Sequence, residues 1–427
     1  MRIILAILAL SIIIIIHEFG HFIVAKLSGI KVLEFSLFMG PKLFSVKRGE
    51  TQYSLRLIPL GGFVKMEGEE QESDDERAFN KKPVPIRMAV VAAGAIANIL
   101  SAIIILVIIT SYTGYNTTKI AQINENMPGY SAGIRKGDKI VEYQGKKIYH
   151  PMEFEVFASM ETSETVDVKI KRNGKIIEKT VKPQRYRYIL GFTPKADKGP
   201  ESNVIDEVGK DTPAEKAGLI QGDRIVKIND TSIESRQDIN DYLNENKEKP
   251  VKVTVLRNGQ ELELNITPTK ERYPEYYAMG IGFESAKGRF FGAVKNSCIS
   301  AYSTARLVYY SIIWLVTGKV SVNQLSGPVG IVDYIGSSVQ QGPTLMDKII
   351  DLLNIMAFIS INVGVMQLIP FPALDGSKIL IYAIEGIRKK AIPPEKEAFI
   401  TMVGFVLLVA LMIFVTFNDT LRIFGKG

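Results

Sequence analysis

A chain of 427 residues, 46% of them hydrophobic, has room for two or three domains and suits a membrane protein with sizeable soluble parts. The net charge of +7 is modest and carries no basic stripe with interleaved aromatics, which argues against nucleic acid as a partner and assigns the excess to loops facing an anionic membrane surface. The single cysteine, Cys298, excludes an intrachain disulfide and a cysteine-rich zinc site, so a metal here must be held by His and carboxylate.

The first element is an apolar helix, wholly apolar from Ile3 to Ile16 except for Ser11, that runs into His17-Glu18-Phe19-Gly20-His21. Positions i and i+4 share one helix face, so both imidazoles reach one zinc while Glu18 stands beside the open site as a general base. At about 1.5 Å per residue His17 lies roughly 20 Å in, still inside a hydrocarbon core of about 30 Å. HExxH as a solvated surface pattern is unavailable at that depth. A charged residue at mid-bilayer costs about 2.5 to 3.5 kcal/mol, and a cation is the obvious compensation. Arg2 before an apolar run also imitates a cleaved signal peptide, but no small-x-small site follows Ile16 and removal would discard the motif.

Leu33 to Met66 reads as strands, with a turn at Arg48-Gly49-Glu50 and a close at Leu60-Gly61-Gly62-Phe63-Val64-Lys65-Met66; the acidic run Glu67 to Glu76 reads as a solvated loop. Three more apolar segments qualify as spans: Arg87 to Tyr112, Ile349 to Ile369 and Phe399 to Phe417. Lys26 to Arg87 holds eleven basic residues, and the connection after the third span carries Lys378, Arg388, Lys389, Lys390 and Lys396. By the positive-inside rule both loops are cytoplasmic, which leaves the termini and the region from Tyr115 to Met346 outside. Gly288 to Lys319, with Arg289, Lys295 and Arg306 among aromatics and no acidic residue, is expected as an amphipathic interfacial helix. A fifth span there would reverse the third and separate its end from the end of the first.

The outside region repeats itself. Pro128-Gly-Tyr-Ser-Ala-Gly-Ile-Arg-Lys-Gly-Asp138 is matched by Pro213-Ala-Glu-Lys-Ala-Gly-Leu-Ile-Gln-Gly-Asp223, and Arg172-Asn-Gly174 by Arg257-Asn-Gly259, each shifted by 85 positions. Each copy is expected to hold a strand (Lys139 to Tyr143; Arg224 to Ile228), a short helix and a hairpin turning at Asn-Gly, and to close on a Gly-rich strand, Tyr188 to Phe192 and Met279 to Phe283. The copies resemble PDZ domains in the permuted bacterial form. That resemblance implies capture of an extended peptide C-terminus on a sheet edge; the alternative is a pair of spacers that only restrict access.

A zinc held by two histidines in a hydrolase needs a third protein ligand and one open position. Asp375, in Leu368-Ile-Pro-Phe-Pro-Ala-Leu-Asp375-Gly376, is the best candidate, because Pro370 and Pro372 break the third span and let the backbone aim a side chain inward. The alternative is that Asp375 merely caps a helix beginning near Ser377.

HEFGH, Gly94-Ala-Ile-Ala-Asn98, the PDZ pair, Leu325-Ser-Gly-Pro-Val-Gly330 and the Pro-x-Pro-x-Leu-Asp-Gly string together resemble a bacterial site-2 protease of the regulator-of-sigma-E type over nearly the whole chain. The resemblance implies an intramembrane metalloprotease of the bacterial cytoplasmic membrane, with one Zn2+ per chain on His17, His21 and Asp375 and with Glu18 as base. It further implies single-pass substrates already cut by another protease, such as anti-sigma factors or signal-peptide remnants. A hairpin dipping into the membrane is implied too, its edge at Gly61, Gly62, Phe63, Val64 and Lys65 holding the substrate extended. The family usually places an asparagine where this chain has Gln367; Asn98 and Asn362 remain as polar groups within spans that could also meet substrate. It also usually writes Gly-Gly after the aspartate, where Gly376-Ser377 stand here.

The expected architecture is a multi-pass α-helical membrane protein with four transmembrane helices, a membrane-associated β-hairpin and two α+β PDZ domains. Its parts are the first two spans with the hairpin (1–114), the PDZ domains (115–197 and 198–285), an interfacial helix and linker (286–344), and the last two spans (345–427). The competing class is a non-catalytic membrane PDZ scaffold, which has no need of Glu18, of two histidines in register or of a broken helix at Pro370. A zinc-permeating carrier would need polar groups along several spans, whereas here they gather at one depth.

Overall fold

The opening apolar run folds as one unbroken helix, α1 (Arg2–Leu27), ended by Gly29 at a φ of 65° that a side chain would resist. The computed structural model describes residues 2–69, 71, 73–195, 202–272, 277–287, 290–341, 344–390 and 392–424. Glu70 and Glu72 of the acidic run, Gly288, Arg289 and the boundary expected at 197 and 198 lie outside the described residues.

After α1 come β1 (Val32–Arg48) and β2 (Thr51–Met66), then α2 (Val84–Thr113). The repeat region follows: β3 (Tyr115–Ile123), β4 (Lys139–Tyr143), α3 (Pro151–Ser159), β5 (Val166–Arg172), β6 (Lys175–Val181), β7 (Tyr186–Ile189), β8 (Phe192–Pro194) and β9 (Ile205–Val208). It continues with β10 (Arg224–Ile228), α4 (Arg236–Asn246), β11 (Val251–Arg257), β12 (Gln260–Ile266), β13 (Thr269–Arg272) and β14 (Ile281–Ala286). The helices α5 (Phe290–Val316), α6 (Pro328–Gln341), α7 (Leu345–Gln367), α8 (Asp375–Arg388) and α9 (Pro394–Phe424) complete the chain. Residues 1–115 with 285–427 form one compact unit and residues 116–284 another.

In the first unit, α1, α2, α7 and α9 are long and apolar enough to cross a membrane, in line with the four spans expected. Small residues let them approach: a Cβ on Gly20 would lie 2.4 Å from the Ala93 carbonyl oxygen, and one on Gly364 2.8 Å from that of Ala95. An apolar cluster of Ala25, Ile30, Val32, Met66, Phe79, Val90, Val91 and Ile381 ties the ends of α1 and β2 to the starts of α2 and α8. Helix α5 starts beside the end of α2, where Gly292 packs on Tyr115, and its middle shares an apolar cluster with the bundle, Ala301 joining Ala102 of α2 and Ala357 and Ile361 of α7. Among the described residues α5 is not one of the helices long and apolar enough to cross a membrane.

The hairpin turns at Gly49 and Glu50 as expected, but β2 folds back so that β1 pairs with it twice. Phe35 faces Tyr53 on one side and Val64 on the other, which leaves Gly62 to Met66 along an outer edge.

In the second unit the internal duplication is visible element by element. Both hairpins turn through Asn-Gly with positive φ at each residue: Asn173 at 50° and Gly174 at 81°, Asn258 at 50° and Gly259 at 82°. Asp138 and Asp223 are each 1% exposed and each held by two contacts from an arginine, Arg172 and Arg257, which also donates to the Gly133 or Gly218 carbonyl. One expectation is corrected. The Gly-rich strands are exchanged: β14 pairs with β3 and joins the sheet of the first copy, in the order β14-β3-β4-β5-β6, while β8 pairs with β9, β7 with β13, and Leu190 packs in the core of the second copy. The second copy is thus inserted within the first, and the division into 115–197 and 198–285 does not follow the sheets. A Gly-rich strand suits either copy locally; its partner is chosen by long-range pairing that no local pattern encodes.

Candidate metal centre

His17 and His21 project from the same face of α1, as their spacing requires, and their Nε2 atoms lie 3.1 Å apart. Asp375, the first residue of α8, brings its Oδ2 to 3.1 Å from His17 Nε2 and 3.4 Å from His21 Nε2. The residue before it, Leu374, is the helix N-cap and caps with no side-chain bond, so Asp375 does not spend its carboxylate as a cap; the helix begins two residues earlier than Ser377. The break that aims it spans Leu368 to Leu374, where Pro370 and Pro372 stop α7 and Ala373 adopts a φ of 75°. Gly376 permits the turn, since a Cβ there would lie 2.4 Å from the Leu368 carbonyl oxygen.

Three electronegative atoms face one another across 3.1 to 3.4 Å. A tetrahedral site with arms of about 2.0–2.1 Å has donor atoms about 3.3 Å apart, so this triangle fits zinc. The hydrogen bonding agrees. His21 Nδ1 donates to the Val90 carbonyl at 2.8 Å, which fixes the tautomer whose Nε2 lone pair faces the cluster.

The wall behind the triangle is α2. A Cβ on Gly94 would lie 2.5 Å from His21 Nε2 and 2.7 Å from His17 Nε2, so only glycine fits. Glu18 faces the hairpin, and a Cβ on Gly62 would lie 3.5 Å from its Cγ. Base, cluster and the start of the outer strand edge therefore adjoin. Beyond them opens a cleft of about 1240 Å³ bounded by Phe63 to Lys65 on one side and by Ala373, Lys378 and Phe405 on the other. On its wall Lys378 meets Glu69 at 3.1 Å; burial would lower the ammonium, but the Glu69 charge prevails and holds it above its ordinary value.

With this geometry in view, the comparisons decide the lineage. The profile described as Peptidase family M50 matches residues 5–411. The chain belongs to peptidase family M50. Among M50 relatives, zinc metalloprotease RasP of Bacillus licheniformis is 31% identical, covering 96% of each chain, and that of Oceanobacillus iheyensis is 30% identical, covering 98% of each. Among solved structures, the HtrA3 PDZ domain bound to a phage-derived ligand covers 20% of this chain and 89% of its own at 21% identity, with a TM-score of 0.17. As an M50 member the chain is a zinc metallopeptidase and a membrane protein.

Of the residues expected to meet substrate in this M50 chain, Gly62 stands beside Glu18 and Phe63 to Lys65 line the cleft, whereas a Cβ on Gly61 would meet the Met39 side chain. Asn98 is fully buried in α2, one turn beyond Gly94, with neither carboxamide atom hydrogen-bonded among the described residues. Asn362 is not brought to the cluster: its amide donates to the Phe358 carbonyl of its own helix at 2.6 Å. Gln367 turns its Oε1 to the Asp375 backbone N–H, 3.5 Å away, so its longer arm addresses the ligand loop. Sequence reading missed Gly94 as a site residue and the Val90 carbonyl as the partner of His21. The signal for Gly94 was present, because a glycine inside an apolar helix with no capping role marks a close approach.

Proposed function

We propose that this M50 chain is an endopeptidase that hydrolyses peptide bonds within transmembrane segments of single-pass membrane proteins. His17, His21 and Asp375 hold its zinc and Glu18 is the base. The observation that carries the reading is the convergence of three donor atoms across 3.1 to 3.4 Å, inside a span, beside the Gly62 end of a strand edge left unpaired among the described residues.

Zinc bound there supplies Lewis acidity to the scissile carbonyl and to the attacking water. Glu18 takes a proton from that water as its oxygen bonds to the carbonyl carbon, and returns the proton to the amine nitrogen as the C–N bond breaks. A helical substrate hides its scissile carbonyl behind its own hydrogen bonds. Gly61 to Lys65 supply backbone partners that replace those bonds and keep the segment extended.

The two repeats serve as PDZ modules on the extracytoplasmic side, with the metal centre toward the cytoplasmic side; the eleven basic residues between Lys26 and Arg87 support that orientation. In the second repeat a groove of about 310 Å³ between Leu190 to Thr193 and α4, with Ile239 and Leu243 on its floor, suits an apolar C-terminal side chain exposed by an earlier cut. Anti-sigma factors and signal-peptide remnants are substrates of this description. The test is incubation of purified protein with a single-span polypeptide, with and without chelator. Cleavage that chelator abolishes and zinc restores is expected; chelator-insensitive cleavage, or none with zinc present, contradicts the proposal.

A further inference from the structure

Ser11 is the single polar residue in the apolar run before the histidines, and it is 2% exposed. Its hydroxyl bonds the Ile7 carbonyl of its own helix at 2.7 Å, as serines in helices do, and also lies 2.6 Å from the Pro59 carbonyl of β2. At Pro59 the strand register slips: it passes from Met39 opposite Ile58 to Leu37 opposite Gly62, so Pro59, Leu60 and Gly61 stand outside the ladder. A carbonyl leaving a ladder at membrane depth needs a donor, and Ser11 provides it.

This bond and a second contact tie the strand to α1 at two points. Ser11 and Glu18 are seven residues apart, two helical turns, so they share a face and are separated by about 10.5 Å along α1. Pro59 is joined to Gly62 through Leu60 and Gly61 alone, and Gly61 turns there with a φ of 78°. The strand touches Ser11 at its first end and Glu18 at its second, where a Cβ on Gly62 would lie 3.5 Å from Glu18 Cγ. Two residues between these contacts leave little slack, so fixing Pro59 fixes which residue of the outer edge stands beside the base.

We propose that Ser11 is a positioning residue that sets the register of the strand edge against Glu18, and thereby selects which peptide bond of the substrate is cut. The inference rests on the proposed presentation of substrate along Gly61 to Lys65. Without the Ser11 hydroxyl the segment from Pro59 to Gly61 loses its attachment, and the side-chain period of two makes a one-residue slip present a different bond and the opposite face.

The test compares wild type, Ser11→Ala and Ser11→Thr in full-length protein with Cys298 replaced by Ser. The probe is a detergent-solubilised single-span polypeptide with an apolar segment of about twenty residues. Products are mapped by mass spectrometry, zinc is measured, and a parallel Lys65→Cys protein is cross-linked to single-cysteine probes. Wild type is expected to cut at one bond. Ser11→Ala is expected to keep its zinc, to cut at neighbouring bonds as well, and to lose about tenfold in kcat with little change in KM, while Ser11→Thr, which retains the hydroxyl, restores the single cut. The proposal is overturned if Ser11→Ala cuts the same single bond at any rate, or if it loses zinc, which would make Ser11 a residue of helix assembly only. Absence of any cross-link from Lys65→Cys instead removes the edge-strand reading, and the role of Ser11 with it.

Discussion

The metal centre and the paired repeats both bury carboxylates, and they differ in how those carboxylates are answered. Asp138 and Asp223 are closed by protein: each accepts two contacts from an arginine that also bonds a nearby carbonyl, at 2.7 to 2.8 Å throughout. Asp375 instead faces two imidazole nitrogens that face each other, an arrangement that three electronegative atoms adopt stably only around a cation. A buried polar group closed by its own chain is architecture; one left open toward others of its kind marks the site of chemistry.

The sharpest way to break that contrast is to alter chemistry without altering metal. Glu18→Gln should retain zinc and lose about 10² to 10⁴ in cleavage rate, read by product formation alongside metal analysis. An active Glu18→Gln protein removes the base assignment. Next in size, Gly94→Ala puts a methyl within 2.5 Å of His21 Nε2 and should lower zinc affinity by more than about tenfold, measured by competition with a chromophoric chelator. Unchanged affinity would mean that α2 does not back the metal.

How much of this was legible beforehand follows the range of the interaction. HExxH, the spans and both Asn-Gly turns depend on spacings of a few residues, and all appear where the sequence put them. Asp375 was reachable because Pro370 and Pro372 announce a broken helix, although the same residues left a capping role open. The exchange of β14 and β8 between the repeats was not legible: either sheet accepts a Gly-rich strand, and only pairing across more than a hundred and fifty residues settles the matter. The double pairing of β1 and the bond from Ser11 to Pro59 were hidden for the same reason.

Within the repeats, Arg172→Ala leaves the buried Asp138 without its cation and should destabilise the second unit by about 2–3 kcal/mol in chemical denaturation, a partly exposed arginine costing less than a wholly buried one. Zinc content should not change. A fall in zinc would contradict the division between architecture and chemistry.

The smallest effect separates the repeats from each other. His150 caps α3 by accepting from the Met152 N–H, and Ser235, its counterpart 85 positions on, caps α4. Burial lowers His150 to about 4. The unfolded chain takes up that proton near pH 6.5 and the folded one does not, so stability is full above 6.5 and is lost as pH falls from there toward 4. His150→Ser should remove that slope while changing stability at pH 7 by no more than about 1 kcal/mol, followed by melting temperature across pH. A slope that survives the substitution would place the titrating group elsewhere.

The central claim is that residues more than 350 positions apart hold one ion, and zinc analysis of purified Asp375→Ala protein beside wild type tests it most directly. One zinc per chain in wild type and almost none in the variant is the expected result. Full zinc retained in Asp375→Ala would contradict it.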